Sequence, residues 1–426
     1  MVKIMAKTKN KPMLISIIFL VTALILSTYV KSKASDHNAD ATINTENPAQ
    51  TVSTSFNHNN SNAEMIAVWV PFMSLNMKET DCSEAAFKSK FDEIIKTALN
   101  HRINALIVHV RPFADALYPS KIYPHSHLLT EEQGKNPGFD ALKYMIEATH
   151  QAGMQFHAWI NPLRIQVNSN PPALCDSNIY YSLKNDENNP TDIVMESGND
   201  KYLNPGYEKV RKLIIDGVRE ILTSYPEVDG VQFDDYFYPE NDFECDKVCY
   251  QNYCAIPGNT QPLSHQEWRF ANINSLVSGV HSAIKNINPA VVFGISPAGN
   301  LEYNTKIGAD ITTWCKTPGY IDYICPQIYF SLDHPTLPFE TAIKNFKDLP
   351  KHDKLKLYFG LALYKAGSET ADSGTWQNHD DILQQEYNHC KSLGCDGVML
   401  YCVESFKDKI TAREIANLTT CFKRLG

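Results

Sequence analysis

Two carboxylates stand side by side where a short apolar run ends. Gly230–Phe233 leads directly into Asp234 and Asp235, three aromatics follow, and Pro239 closes the stretch. Adjacent ionised carboxylates repel, and at the end of a buried strand they cost stability. A carboxylic acid in an aromatic-walled cleft has its pKa raised and can protonate a leaving oxygen near neutral pH. Side chains alternate along a strand, so Gln232 and Asp234 face one side while Val231 and Phe233 face the other. Asp234 is thus aimed at a substrate, and Asp235 belongs to the rim or the turn. Two other readings of the pair stay open: a helix cap or ion pair, and the bridging of a hard divalent cation.

Such residues need a frame. From Glu64 onward, eight short apolar, β-branched runs, the first at Ile66–Phe72 and the last at Gly397–Tyr401, alternate with helix-period segments. Gly153 and Gly394 stand where helices must stop before the next strand. This alternation predicts a parallel sheet, and eight strands close a (β/α)₈ TIM barrel. An open doubly wound sheet is the alternative, but no G-x-G-x-x-G turn follows the first run and no dinucleotide cofactor is expected. In a barrel, function gathers at the C-terminal ends of the strands.

Read at that rim, the sequence offers Arg111 and Asp115 after the second run, and His157, Trp159, Asn161 and Arg164 at and after the third. Asp234, Asp235 and Tyr236 follow the fourth, Gln327 and Tyr329 the sixth, and Glu404 the eighth. Breaking a glycosidic bond usually takes two carboxyl groups. With Asp234 and Asp235 as the acid end, Glu404 or Asp115 is a candidate second group. The arginine forks suit ion pairs, loop anchoring or a substrate carboxylate, and the indole of Trp159 suits a sugar face or packing. Histidines are few at this rim and no H-E-x-x-H pattern is present, so no catalytic metal is expected. A metal-dependent deacetylase or hydrolase and a catalytically silent carbohydrate-binding barrel are the rival readings.

A net charge of −9 argues against nucleic acid as a partner. Lys3, Lys7, Lys9 and Lys11 precede the apolar run Met13–Val30, and Ser32-Lys33-Ala34 offers a cleavage site. Residues 1–34 therefore read as a signal peptide or signal anchor, residues 35–63 as a disordered polar linker, and residues 64–426 as one catalytic domain. The expected location is outside the cytoplasm, with membrane contact only through the N-terminal segment. Eleven cysteines cannot all pair within one chain. Cys245, Cys249 and Cys254 lie close enough in sequence for one disulfide among them, or less simply for a zinc site.

The segments VRPFADALYPS, GFDALKYMIEATHQAGMQFHAWINPLR, NPGYEKVRKLIIDGVREI, DGVQFDDYFYP, FGISPAGN and DYICPQIYF occur in this order. Together they resemble the glycosyl-hydrolase-like family 10 proteins, exported or envelope-anchored bacterial proteins with a (β/α)₈ domain. The similarity runs from about Met65 to about Phe406. It implies a glycoside hydrolase of a cell-wall or envelope polysaccharide, with peptide-free peptidoglycan strands the leading substrate. By position in the shared segments, Arg111, Asp115, His157, Asn161, Arg164, Asp234, Asp235, Gln327 and Tyr329 would line the site. The first-strand segment AVWVPFMSLNM, Leu163 and the stretch Cys245–Pro262 depart from the family pattern and bear on the fine choice of substrate.

Overall fold

The central strands are buried on both faces, for two different reasons. In the strand Ala105–Arg111, Leu106, Val108 and Val110 pack outward under the helices, while Ala105 and Ile107 turn inward onto Trp159, Tyr323 and Met399. A strand buried on both sides belongs to a parallel sheet covered by helices. In the computed structural model, residues 64–78, 81–239 and 242–422 are described. The expected export segment and linker lie outside them.

The strands are β1 (Met65–Val70), β2 (Ala105–Arg111), β3 (Gln155–Ile160), β4 (Arg164–Gln166), β5 (Val194–Ser197) and β6 (Asp200–Leu203). They continue as β7 (Gly230–Phe233), β8 (Val292–Ile295), β9 (Tyr323–Ile324), β10 (Gln327–Ile328), β11 (Lys356–Leu361) and β12 (Gly397–Leu400). The parallel order β12-β1-β2-β3-β7-β8-β9 is closed by β11, which pairs with both β12 and β9. The short strands β9 and β10 share the sixth position, interrupted by Cys325 and Pro326. The fold is therefore the expected (β/α)₈ barrel.

Helices Glu84–Asn100, Ala141–Gln151, Glu208–Ser224, His265–Ile287, Phe339–Lys347 and Ile382–Ser392 cover it. Their starts are written in the sequence. Ser83 and Asp140 accept from backbone N–H groups of the first turn, and Ser264 forms a capping box with Glu267. Inward side chains such as Phe87 and Phe91 are fully buried against the strands, each contributing about 1.5–3 kcal/mol relative to exposure.

Two glycines make room inside the barrel. A Cβ on Gly294 would lie 2.0 Å from the Tyr323 ring, and one on Gly230 would lie 2.5 Å from His157 Nδ1. Without side chains there, Tyr323 and His157 cross the interior and meet.

The periodicity did not announce a second, antiparallel sheet, β4-β6-β5, which is inserted between β3 and helix Glu208–Ser224. Its tight β5–β6 turn passes through Gly198 at φ +60°, the left-handed region that glycine occupies without strain. All eleven cysteines are free thiols. Cys245 donates to the carbonyl of Asp242, while Cys249 and Cys254 sit on the helix Lys247–Cys254. No disulfide links any two of these three. Among the described residues, no three His, Cys, Asp or Glu side chains group as a metal site would need.

Candidate active site

Strand register sorts the interior into layers. His157 of β3 lies level with Ile107 and Gly230; Trp159 lies level with His109 and Gln232, which is level with Gly294. One step further toward the C-terminal mouth stand Asn161, Asp234 and Ser296, the residues that follow β3, β7 and β8. Alternation turns these three inward, above the packed interior.

Asp234 is nearly sealed, at 2% exposure. The indole Nε1–H of Trp159 donates to its Oδ2 at 3.1 Å, and the backbone N–H of Tyr236 donates to Oδ1 at 3.4 Å. Burial pushes Asp234 up to about 8; Arg164 opposes the rise and Asp235 adds to it. Asp235 is half-buried and also raised by burial, against the backbone, Arg164 and the amide of Gln327, all of which favour its charged form. A carboxyl that keeps its proton at neutral pH is a general acid in waiting.

Arg164, on β4, is brought over the pair by the inserted sheet. Its guanidinium stacks 3.3 Å from the ring centre of Tyr236, a contact worth about 0.5–1 kcal/mol where solvent reaches it. Tyr236 itself is 44% exposed and forms an open aromatic lip beside the acids.

The facing wall is aromatic. Tyr401 directly follows β12, four strand positions round the barrel from β7 and so diametrically across from Asp234. Tyr401, Tyr329 and Tyr364 contact one another at ring-centre distances of 5.7, 5.8 and 5.9 Å. Lys365, paired with Asp372, donates to the carbonyl of Tyr329 and fixes that segment.

Several polar atoms around Asp234 find no partner within the protein: Asn161 Nδ2, Gln232 Nε2, Ser296 Oγ, Arg164 Nε and Asp235 Oδ1. Buried polar groups are normally satisfied. A set of orphaned donors and acceptors round one acid is what a hydroxyl-rich ligand would complete.

The structure thus brings together Asp234, Asp235, Trp159, Asn161, Arg164, Tyr236, Gln327 and Tyr329. It does not bring the others. Glu404 sits on the 3₁₀ turn Val403–Lys407 with its side chain 48% exposed and directed to Lys407, 3.9 Å away. Asp115 is fully buried in the loop after β2, where it accepts from Gln133 Nε2 at 2.9 Å and pairs with His127 at 3.2 Å. Arg111 is turned outward by a register shift between His109 and Arg111, and its guanidinium lies 4.6 Å over the Tyr123 ring. His157 is no rim residue. It lies four residues along the strand below the level of Asp234, about 13 Å. Its Nδ1 is 3.1 Å from the Tyr323 hydroxyl, and burial pushes its imidazole down to about 4.

One residue was missed. His109 stacks on Trp159 with ring centres 3.3 Å apart, accepts from the N–H of Phe72 at Nδ1, and meets Asn161 Oδ1 at 3.0 Å through Nε2. With Nδ1 accepting, the proton sits on Nε2. Burial holds the ring well below its ordinary pKa, so it is a neutral brace behind both Trp159 and Asn161. The inward parity of Ala105, Ile107 and His109 could have found it.

Residues 64–378 match the family described as glycosyl hydrolase-like 10. The chain belongs to that family. It is 33% identical over 336 residues to glycosyl hydrolase DigH of Escherichia coli (strain K12), covering 72% of this chain and 73% of the relative. It is 34% identical over 352 residues to glycosyl hydrolase YngK of Bacillus subtilis (strain 168), covering 76% and 65% respectively. Among solved structures, a β-galactosidase from Rahnella sp. R3 superimposes with a TM-score of 0.55 at 11% identity, over 85% of this chain and 56% of that one. An α-L-fucosidase isoenzyme 2 from Paenibacillus thiaminolyticus gives 0.50 at 14%, over 84% and 49%. The chain spans about half the length of these two structures, and they bear on the fold alone. Family membership makes this chain a glycoside hydrolase.

Proposed function

We propose that this protein hydrolyses O-glycosidic bonds in an envelope polysaccharide, peptide-free peptidoglycan strands above all, with Asp234 as the general acid. The observation that carries the reading is Asp234 itself: buried at the barrel mouth, held by Trp159, and raised to about 8. Protonated at neutral pH, it delivers its proton to the leaving glycosidic oxygen as the bond to the anomeric carbon breaks. The aromatic wall of Tyr329, Tyr364 and Tyr401 receives the sugar ring, and Arg164 limits the charge that builds as Asp234 ionises. The lysine-flanked apolar run near the N-terminus supports an envelope location, and the family likeness supports a glycan without stem peptides.

The test is mass spectrometry of the products formed by the purified full chain from denuded and from peptide-bearing glycan strands. Release of short oligosaccharides from the denuded strands is expected, with little from the peptide-bearing ones. Binding of strands without any cleavage would overturn the proposal in favour of a carbohydrate-binding barrel. Cleavage abolished by a chelator would overturn it in favour of metal-dependent chemistry.

A further inference from the structure

A glycosidase must meet the anomeric carbon as well as the leaving oxygen. Under the function proposed above, on which this inference rests, Asp234 serves the oxygen. The second role has no occupant in the usual place. Directly across the mouth from Asp234, where a nucleophile or base carboxylate could face it, stands Tyr401 with Tyr329 and Tyr364 around it. Glu404, three residues beyond Tyr401, turns out to Lys407. Asp115 is engaged by His127 and Gln133 inside its loop. Among the described residues, the one carboxylate whose charge acts on Asp234 is its chain neighbour Asp235.

Asp235 is poorly placed for a direct attack. It leaves the same strand end as Asp234, so both acids approach a bound sugar from one wall and cannot clamp it from two. It is half-buried beside the amide of Gln327, and one of its oxygens, Oδ1, is sealed from solvent with no partner. Half-exposed beside the general acid and with acceptor capacity left over, the Asp235 carboxylate awaits a donor on the substrate. A 2-acetamido sugar carries such a donor, the amide N–H, adjacent to its anomeric carbon.

We infer that the nucleophile is the substrate's own 2-acetamido carbonyl, with Asp235 holding the acetamido N–H and Asp234 acting first as acid and then as base. In the first step the carbonyl oxygen forms a bond to C1 as the C1–O glycosidic bond breaks. The electron pair of that bond goes to the leaving oxygen, which takes the proton of Asp234. The amide proton stays on nitrogen against Asp235, giving a cyclic oxazolinium. Water then attacks C1 and reopens the ring, and its proton passes to Asp234. The anomeric configuration is retained, and the enzyme returns to its starting state. The site therefore takes N-acetylated hexosamines and rejects glycans with a free 2-hydroxyl, which offer neither the nucleophile nor the N–H.

The probe is an N-acetylglucosamine-containing disaccharide closed as its 1,2-thiazoline, a stable mimic of the cyclic intermediate. Its binding to the full chain is measured by calorimetry, beside turnover of denuded strands and the product anomer by NMR. Expected are tight thiazoline binding, inhibition of turnover and retention, with binding weakened at least tenfold by Asp235→Ala. In the same variant kcat should fall at least a hundredfold. Circular dichroism confirms that it remains folded, and Asp235→Asn, which keeps an oxygen acceptor, should recover part of the binding. Turnover with inversion, turnover untouched by the thiazoline, or an ester trapped on Asp235 by a 2-deoxy-2-fluoro glycoside would each overturn the inference and leave the proposed function standing. Thiazoline binding without cleavage of denuded strands would overturn the envelope substrate and leave the acetamido site standing. Neither binding nor cleavage would overturn both.

Discussion

The indole Nε1–H of Trp159 donates to Oδ2 of Asp234 at 3.1 Å, while the opposite face of the site holds tyrosines. Trp159 is itself stacked on His109, so the acid is aimed by a brace two residues deep. The indole was a candidate for sugar stacking, but at 5% exposure its role is to orient the acid.

Trp159→Phe keeps most of the stacking and removes the donor. A hydrogen bond to the carboxylate favours its charged form, so its loss should raise the pKa of Asp234 further. The alkaline limb of the pH–rate profile, set in the wild type by loss of the Asp234 proton near 8, should move to higher pH. The net stability change should be about 1 kcal/mol. An unmoved limb would show that Trp159 does not act on the catalytic proton.

Stability should follow the same group with the opposite benefit. The folded pKa of Asp234 is raised above its ordinary 3.8. Between that value and about 8, the unfolded chain has released a proton that the folded chain still holds. This group's contribution to stability is therefore full below the unfolded pKa and declines as pH rises through the window. Asp234→Asn should consequently gain thermal stability over the wild type more at pH 8 than at pH 4, measured by calorimetry at both.

The two displaced carboxylates should separate cleanly. Glu404→Gln removes only an exposed ion pair with Lys407, so activity should stay near normal and stability within about 0.5 kcal/mol. Asp115→Asn leaves His127 or Gln133 without its acceptor inside a buried loop. It should cost about 1–3 kcal/mol, read as a lower Tm, with kcat changed far less than by substitution at Asp234.

Periodicity made the barrel legible. Eight apolar runs and the helices between them, apart from the interval between the fifth and sixth runs, sit within a residue or two of the observed elements because both faces of every strand are committed to packing. The inward aim of Asp234 was legible for the same reason, since β7 runs regularly into it. What failed lay where the period stops. A register shift before Arg111 reverses its side without any mark in the sequence. Beyond β12 the chain enters a 3₁₀ turn, so the alternation of β12 says nothing about Glu404. His157 was read as rim although it belongs to the body of β3. The β4-β6-β5 sheet, with strands of three and four residues, is too short for a periodic signal, yet it delivers Arg164 to the acids.

The most direct measurement is the turnover of denuded glycan strands by Asp234→Asn, which keeps the shape of the side chain and removes its titratable proton. General acid–base assistance is worth roughly 10²–10⁴-fold. The variant should lose at least about a hundredfold in kcat, with its circular dichroism unchanged and its affinity for strands retained. Turnover within a few-fold of the wild type by a folded Asp234→Asn would contradict the account, because among the described residues Asp234 is the carboxyl at this mouth that is both buried and held for proton transfer.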